Sequence, residues 1–231
     1  MSNCAKPAAR LDVWCVDLDL VTHLDDRLTA LLDDAELGRA GRFVRPADAL
    51  RYRIAHGALR TILGGRIGVA PQAVRYAYGE HGKPRLAGEG PHFSLSHSAT
   101  FALVAVSAER AVGVDVEDLR PVPEAAAIAE RHFATAAARR IADAPPQLRD
   151  QRFLRIWTAM EAILKAEGTG LADGLEGVEI RDGGGDRATA ALAGSPPGPG
   201  WSVRWLALGP AHVAAVAVRG GDLAVRLRRF A

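Results

Sequence analysis

Lysine is almost missing from this chain: of its 29 basic side chains only Lys6, Lys83 and Lys165 are lysine. Where arginine supplies the generic surface charge, an isolated ammonium stands out as a compact point charge. Cysteine is equally scarce. Cys4 and Cys15 are too few for a disulfide framework and lack metal-ligand spacing, which fits a reducing compartment. No apolar run reaches the roughly 18–20 residues of a membrane span, and no basic region with a long enough apolar run opens the chain, so a cytoplasmic protein without a targeting segment is expected. Charge of one sign is not in excess either; a net charge of +2 removes any blanket argument for nucleic acid or a membrane as partner. Also lacking are the phosphate loop G-x-x-x-x-G-K-S/T, the G-x-G-x-x-G turn after a strand, H-E-x-x-H and G-x-S-x-G, which excludes the familiar nucleotide-enzyme and hydrolase signatures.

What is present is a repeated order of periodicities. Residues 11–20 alternate apolar and polar and predict a strand; helical patterns follow over about 24–40 and 47–63, the second opening after Pro46 and closing at Gly64-Gly65. Short β-like runs come next at about 73–79, 92–97 and 101–106. The same order then recurs: a strand at 111–117, helices at about 123–141 and 147–167, and strands near 177–181, 201–208, 212–218 and 223–228. This predicts an α+β protein of two similar β-α-α-β-β-β halves related by a pseudo-twofold, residues 1–110 and 111–231, arising from duplication. Residues 182–200, with Gly183-Gly184-Gly185 and Ser195-Pro196-Pro197-Gly198-Pro199-Gly200, predict a mobile loop within the second half.

Four stretches carry candidate chemistry, each beside a plainer explanation. On the uninterrupted helical run 156–166, Trp157, Glu161 and Lys165 are each four residues apart and share a face; a stabilising Glu-to-Lys pair would account for them as well as a site would. In Val114-Asp115-Val116-Glu117 the valines point to the core and the two carboxylates project together. That is either a solvated strand face or a site for a hard cation such as Mg²⁺. Phe93-Ser94-Leu95-Ser96-His97-Ser98 puts hydroxyls and an imidazole at a strand end, suited to holding a phosphate or merely to a turn. Gly79-Glu80-His81-Gly82-Lys83-Pro84-Arg85 is an anion-binding loop or a surface turn. Arg39, Arg42, Arg45, Arg51 and Arg53 form a basic cluster, a solvated face with room for a phosphate or an acidic protein.

Together and in this order, His81-Gly82-Lys83-Pro84, the 93–98 segment, Val112-Gly113-Val114-Asp115-Val116-Glu117 and Trp157-Thr158-Ala159-Met160-Glu161-Ala162-Ile163-Leu164-Lys165 resemble the motifs of the 4′-phosphopantetheinyl transferases, in their long, monomeric, pseudo-twofold form. The resemblance runs from about Arg39 to Leu171, ending in Glu167-Gly168-Thr169-Gly170-Leu171. It implies transfer of the 4′-phosphopantetheine arm of coenzyme A to a serine of an apo acyl or peptidyl carrier protein of polyketide, nonribosomal-peptide or fatty-acid synthesis, releasing 3′,5′-ADP. Asp115, Glu117 and Glu161 would hold Mg²⁺, with Mn²⁺ as the alternative. Lys165 would neutralise the transferring phosphate, and Glu161 would also take the serine proton. Lys83, Ser96 and His97 would contact coenzyme A, with Arg51 and Arg39 at its nucleotide end, in a cleft between the halves. The resemblance implies a monomer without nucleic acid or membrane partners.

One position departs from the family pattern. Where W-x-x-K-E-A has lysine, this chain has Met160. Because Glu161 and Lys165 are retained, activity is expected to survive. The alternatives are a coenzyme A or carrier-protein binding module with lost or weakened catalysis, and a Mg²⁺-dependent phosphohydrolase.

Overall fold

The computed structural model describes residues 9–169, 175–182, 185–193 and 200–231. Cys4, Lys6, Gly170, Leu171, Gly183, Gly184 and 195–199 lie outside them. Two sheets form the middle of the protein. The first contains β1 (Ala9–Asp17), β4 (His92–His97), β5 (Phe101–Ser107) and β11 (Leu223–Arg229) in the order β11-β1-β5-β4. The second contains β6 (Val112–Asp118), β7 (Val178–Asp182), β8 (Arg187–Leu192), β9 (Trp201–Trp205) and β10 (His212–Arg219) in the order β6-β10-β9-β8-β7. A small pair of β2 (Tyr76–Tyr78) and β3 (Pro84–Leu86) carries the 79–83 loop at its tip.

The alternation along the central strands explains the layering. Leu11 and Val13, Leu103 and Ala105 on the first sheet meet Val112, Val114, Val116, Val216 and Val218 on the second in one buried cluster. The opposite faces take the long helices: Val16, Ala102, Val104 and Val106 pack under α3 (Pro46–Ile67), and Val213, Ala215 and Ala217 under α6 (Pro146–Glu167). Both helices start with proline in the first turn, where its missing N–H costs nothing, and end at a left-handed glycine, Gly68 (φ 73°) and Gly168 (φ 90°). The α+β class is as expected.

Several expectations need correcting. The helical pattern over 24–40 is two helices, α1 (Asp25–Thr29) and α2 (Asp34–Ala40). Asp33 restarts the chain through a capping box, accepting from Glu36 N–H at 3.0 Å while Glu36 accepts from Asp33 N–H at 3.1 Å. Likewise 123–141 is α4 (Ala125–His132) and α5 (Thr135–Ala142), separated where Phe133 turns extended to stack on Phe153 at 5.4 Å. The predicted loop 182–200 contains β8, paired on both edges with β7 and β9. The last strand, which the order of segments assigns to the second half, crosses back to pair in parallel with β1, from Ala9↔Leu223 to Cys15↔Arg229.

Candidate active site

The site forms where β4, at the edge of the first sheet, meets β6, at the edge of the second. On β6 the valines enter the core, so Gly113, Asp115 and Glu117 share the other face, toward α6. Gly113 is what lets that helix lie close. A Cβ there would stand 1.9 Å from the carbonyl oxygen of Ala162 and 2.5 Å from the amide nitrogen of Ala166. The backbone of α6 therefore rests on β6, and the residues just before those two contacts, Glu161 and Lys165, are brought toward the two carboxylates.

Lys165 Nζ donates to Asp115 Oδ1 at 2.6 Å and to Ser96 Oγ at 3.1 Å, and Ser96 Oγ donates to the same Asp115 oxygen at 2.8 Å. A second serine on the same face of β4, Ser94, accepts the edge N–H of Val114 at 3.2 Å. The other oxygen of Asp115, Oδ2, is buried with no hydrogen-bond partner among the described residues. Glu117 is half-buried and lies 3.5 Å from Arg120. Its carboxyl is pushed up from the ordinary range, first by burial and then by Asp115. Glu161 is raised as well, first by burial, with Lys165 opposing and Asp115 and Glu117 adding. Three carboxylates within electrostatic reach of one another and one carboxylate oxygen lacking a donor suit a hard cation. Among the described residues no three acidic, imidazole or thiol groups converge at ligand distance, and Lys165 holds the other Asp115 oxygen.

A cavity of about 370 Å³ opens beside this cluster, lined among others by Arg39, Tyr52, His56, Lys83, His97 and Lys165. Three of the expected coenzyme A contacts, Arg39, Lys83 and His97, thus share one wall system with Lys165. Lys83 Nζ donates to the carbonyl of Ala166 at 2.6 Å, and burial draws its pKa down to about 8 against the pull of Glu167. Ser96 is turned to Asp115 and Lys165, and Arg51 is paired with Asp48 at 3.1 Å; neither lines the cavity. Met160 is fully buried in the core of the second half, so its ammonium-for-thioether exchange lies away from the cleft wall. Trp157 stacks near Phe153 at 6.0 Å and is packed against the core of the second half.

Sequence reasoning missed Tyr52 and His56, which stack at 4.0 Å on α3. Their i,i+4 spacing was the available signal. His56 Nδ1 lies 3.2 Å from Glu36, whose carboxylate is also held by the fully buried Arg60 at 2.6 Å.

Residues 111–217 match the model of the 4′-phosphopantetheinyl transferase superfamily. The chain is 38% identical over 217 residues to the 4′-phosphopantetheinyl transferase HetI of Nostoc sp. (strain PCC 7120), covering 90% of this chain and 87% of that one. This chain belongs to the 4′-phosphopantetheinyl transferase superfamily. The transferase is also 23% identical over 167 residues to Sfp of Bacillus subtilis (strain 168), covering 72% of this chain and 73% of that one. The crystal structure of the Thermotoga maritima holo-acyl-carrier-protein synthase overlaps 48% of this chain and 64% of its own at 21% identity, with a TM-score of 0.38. Among the described residues no helix is long and apolar enough to cross a membrane.

Proposed function

We propose that this transferase moves the 4′-phosphopantetheine arm of coenzyme A to the serine hydroxyl of an apo carrier protein, releasing 3′,5′-ADP. The observation that carries the proposal is the junction at Lys165, where a cleft with cations on its walls runs into a cluster of three carboxylates. Lys83, His97 and Arg39 would grip the phosphates and nucleotide of coenzyme A, with Arg51 near its outer end. Asp115, Glu117 and Glu161 would hold Mg²⁺, which when bound supplies charge neutralisation at the pyrophosphate.

In the reaction the serine oxygen bonds to the phosphorus bearing the pantetheine, and the bond from that phosphorus to the bridging oxygen breaks. The leaving oxygen departs as part of 3′,5′-ADP. Lys165, aimed by Asp115 and Ser96, would stabilise the charge that grows on the transferring group, where a fixed cation in a partly dry site is worth more than in water. Glu161, beside Lys165 on the same face of its helix, would take the serine proton. Positioning and charge are all that such a reaction asks of a protein.

The two-half organisation, divided near residue 110, belongs to the same proposal. It is supported by a long helix on each sheet and by the hairpins β4–β5 and β9–β10 that follow those helices. Such a chain would work as a monomer in the cytoplasm, and the exposed Arg39, Arg42 and Arg45 would favour an acidic carrier. Mass spectrometry of a panel of apo carriers, incubated with protein, coenzyme A and Mg²⁺, tests it. One carrier should gain the mass of a phosphopantetheine, and Mn²⁺ should substitute. Coenzyme A binding without transfer to any carrier would instead mark a binding module, and hydrolysis of coenzyme A without transfer a phosphohydrolase.

A further inference from the structure

Beyond the cleft and its carboxylates, a second polar cluster bridges the two sheets at the far end of the β4–β6 seam. Asp118, next after Glu117, ends β6; His212, its cross-strand partner, begins β10; Ala99 and Thr100 form the turn that follows His97. Asp118 Oδ2 accepts the N–H of Ala99 at 3.0 Å, and Oδ1 accepts the Thr100 hydroxyl at 3.2 Å. Thr100 Oγ1 lies 2.7 Å from His212 Nε2, which is also 3.3 Å from Asp118 Oδ1.

Thr100 has one hydroxyl hydrogen: when Asp118 takes it, His212 donates from Nε2 to the threonine oxygen. The other ring nitrogen, Nδ1, is buried with no hydrogen-bond partner among the described residues, and leaving an acceptor unpaired there costs less than burying an unpaired N–H, which favours this tautomer. An edge-on contact with Phe101, centroids 4.7 Å apart, holds the ring in that orientation. The turn has its own anchors within the first half, Ser98 N–H to Phe101 at 2.8 Å and Leu18 N–H to Thr100 at 2.8 Å. The hairpin therefore has ties of its own, and the Asp118 cluster fastens it to the other sheet.

We infer that Thr100, Asp118 and His212 are positioning residues that clasp the turn after His97 to the end of the carboxylate strand, setting where His97 stands relative to Glu117. This rests on the cleft being the coenzyme A site. None of the three touches the cavity, so they act through His97 and the seam.

The test is equilibrium binding of coenzyme A to the full chain by calorimetry, without a carrier, beside melting temperatures. Thr100→Val and His212→Phe keep shape but delete the hydroxyl or the N–H donor; Thr100→Ser and His212→Gln keep a donor at nearly the same place. A lost link of this kind should raise the Kd for coenzyme A roughly three- to tenfold in the first pair, with the second pair within about twofold of the parent. All four should melt within a few degrees of the parent. The inference is overturned if all four bind like the parent, or if the Ser and Gln variants are as impaired as the Val and Phe ones, since the hydrogen bonds would then not matter. A parent chain that fails to bind coenzyme A sinks the proposed function first, and the clasp with it.

Discussion

Replacing Gly113 by alanine adds one methyl group at the closest approach between β6 and α6. That methyl would stand 1.9 Å from the Ala162 carbonyl oxygen, and both atoms belong to regular backbone that cannot rotate aside. Restoring an ordinary contact of about 3.4 Å requires the helix to retreat by about 1.5 Å. Overpacking of this sort costs about 1–3 kcal/mol, which in a chain of this size lowers the melting temperature by roughly 2–12 °C. The functional effect should be larger than the thermal one. Lys165 reaches Asp115 across 2.6 Å, a bond that does not survive such a retreat. Misplacement of reacting groups by about 1 Å costs on the order of 100-fold in rate. Carrier modification followed by mass spectrometry, beside a thermal melt, checks both. If Gly113→Ala melts like the parent and modifies the carrier at more than about a third of its rate, the close approach is not what sets the site.

Glu161→Gln should reduce transfer by about 10²–10⁴-fold while coenzyme A still binds, measured by single-turnover mass shift and calorimetry; unchanged turnover removes Glu161 from the chemistry. Met160→Lys should leave the transfer rate no higher, because residue 160 points into the core; a tenfold gain would show that its ammonium reaches the cleft. Lys83 titrates at about 8 in the folded protein, so its positive charge is full below that pH and lost above it. Coenzyme A affinity should accordingly fall between pH 7 and 9, by up to about tenfold, and Lys83→Arg should flatten that profile; a parallel fall in both proteins assigns the effect elsewhere. Arg60→Met leaves Glu36 buried without its cation and should cost about 3–5 kcal/mol in urea unfolding, whereas a loss below about 1 kcal/mol would show Asp33 and Glu36 relaxing to solvent.

The strand and helix that carry the candidate site were legible because their patterns are local. Alternation alone put Val114 and Val116 in the core and turned Asp115 and Glu117 to one face, and a four-residue spacing put Glu161 beside Lys165. The breaks at Asp33 and Phe133 were not foreseen, for two different reasons. Asp33-Asp34-Ala35-Glu36 is a readable capping box that the surrounding helical periodicity masked; Phe133 leaves the helix for a distant ring, which no local pattern records. β8 went unnoticed because Arg187-Ala-Thr-Ala-Ala-Leu192 is short and alanine-rich between glycine- and proline-rich neighbours, and its pairing to two strands decides it. Gly113 read as one more strand residue, since its reason is a helix some fifty positions away. Parallel pairing of β11 with β1 has no local signature at all.

That pairing also determines how the molecule would bear load. β1 and β11 run in the same direction over seven matched positions, Ala9↔Leu223 to Cys15↔Arg229. A force applied at Ala9 and at Arg229 pulls the two strands past each other along their length, so their hydrogen bonds must fail together rather than one by one. A chain stretched by its ends in an optical trap would meet its main resistance at this seam before either long helix felt tension.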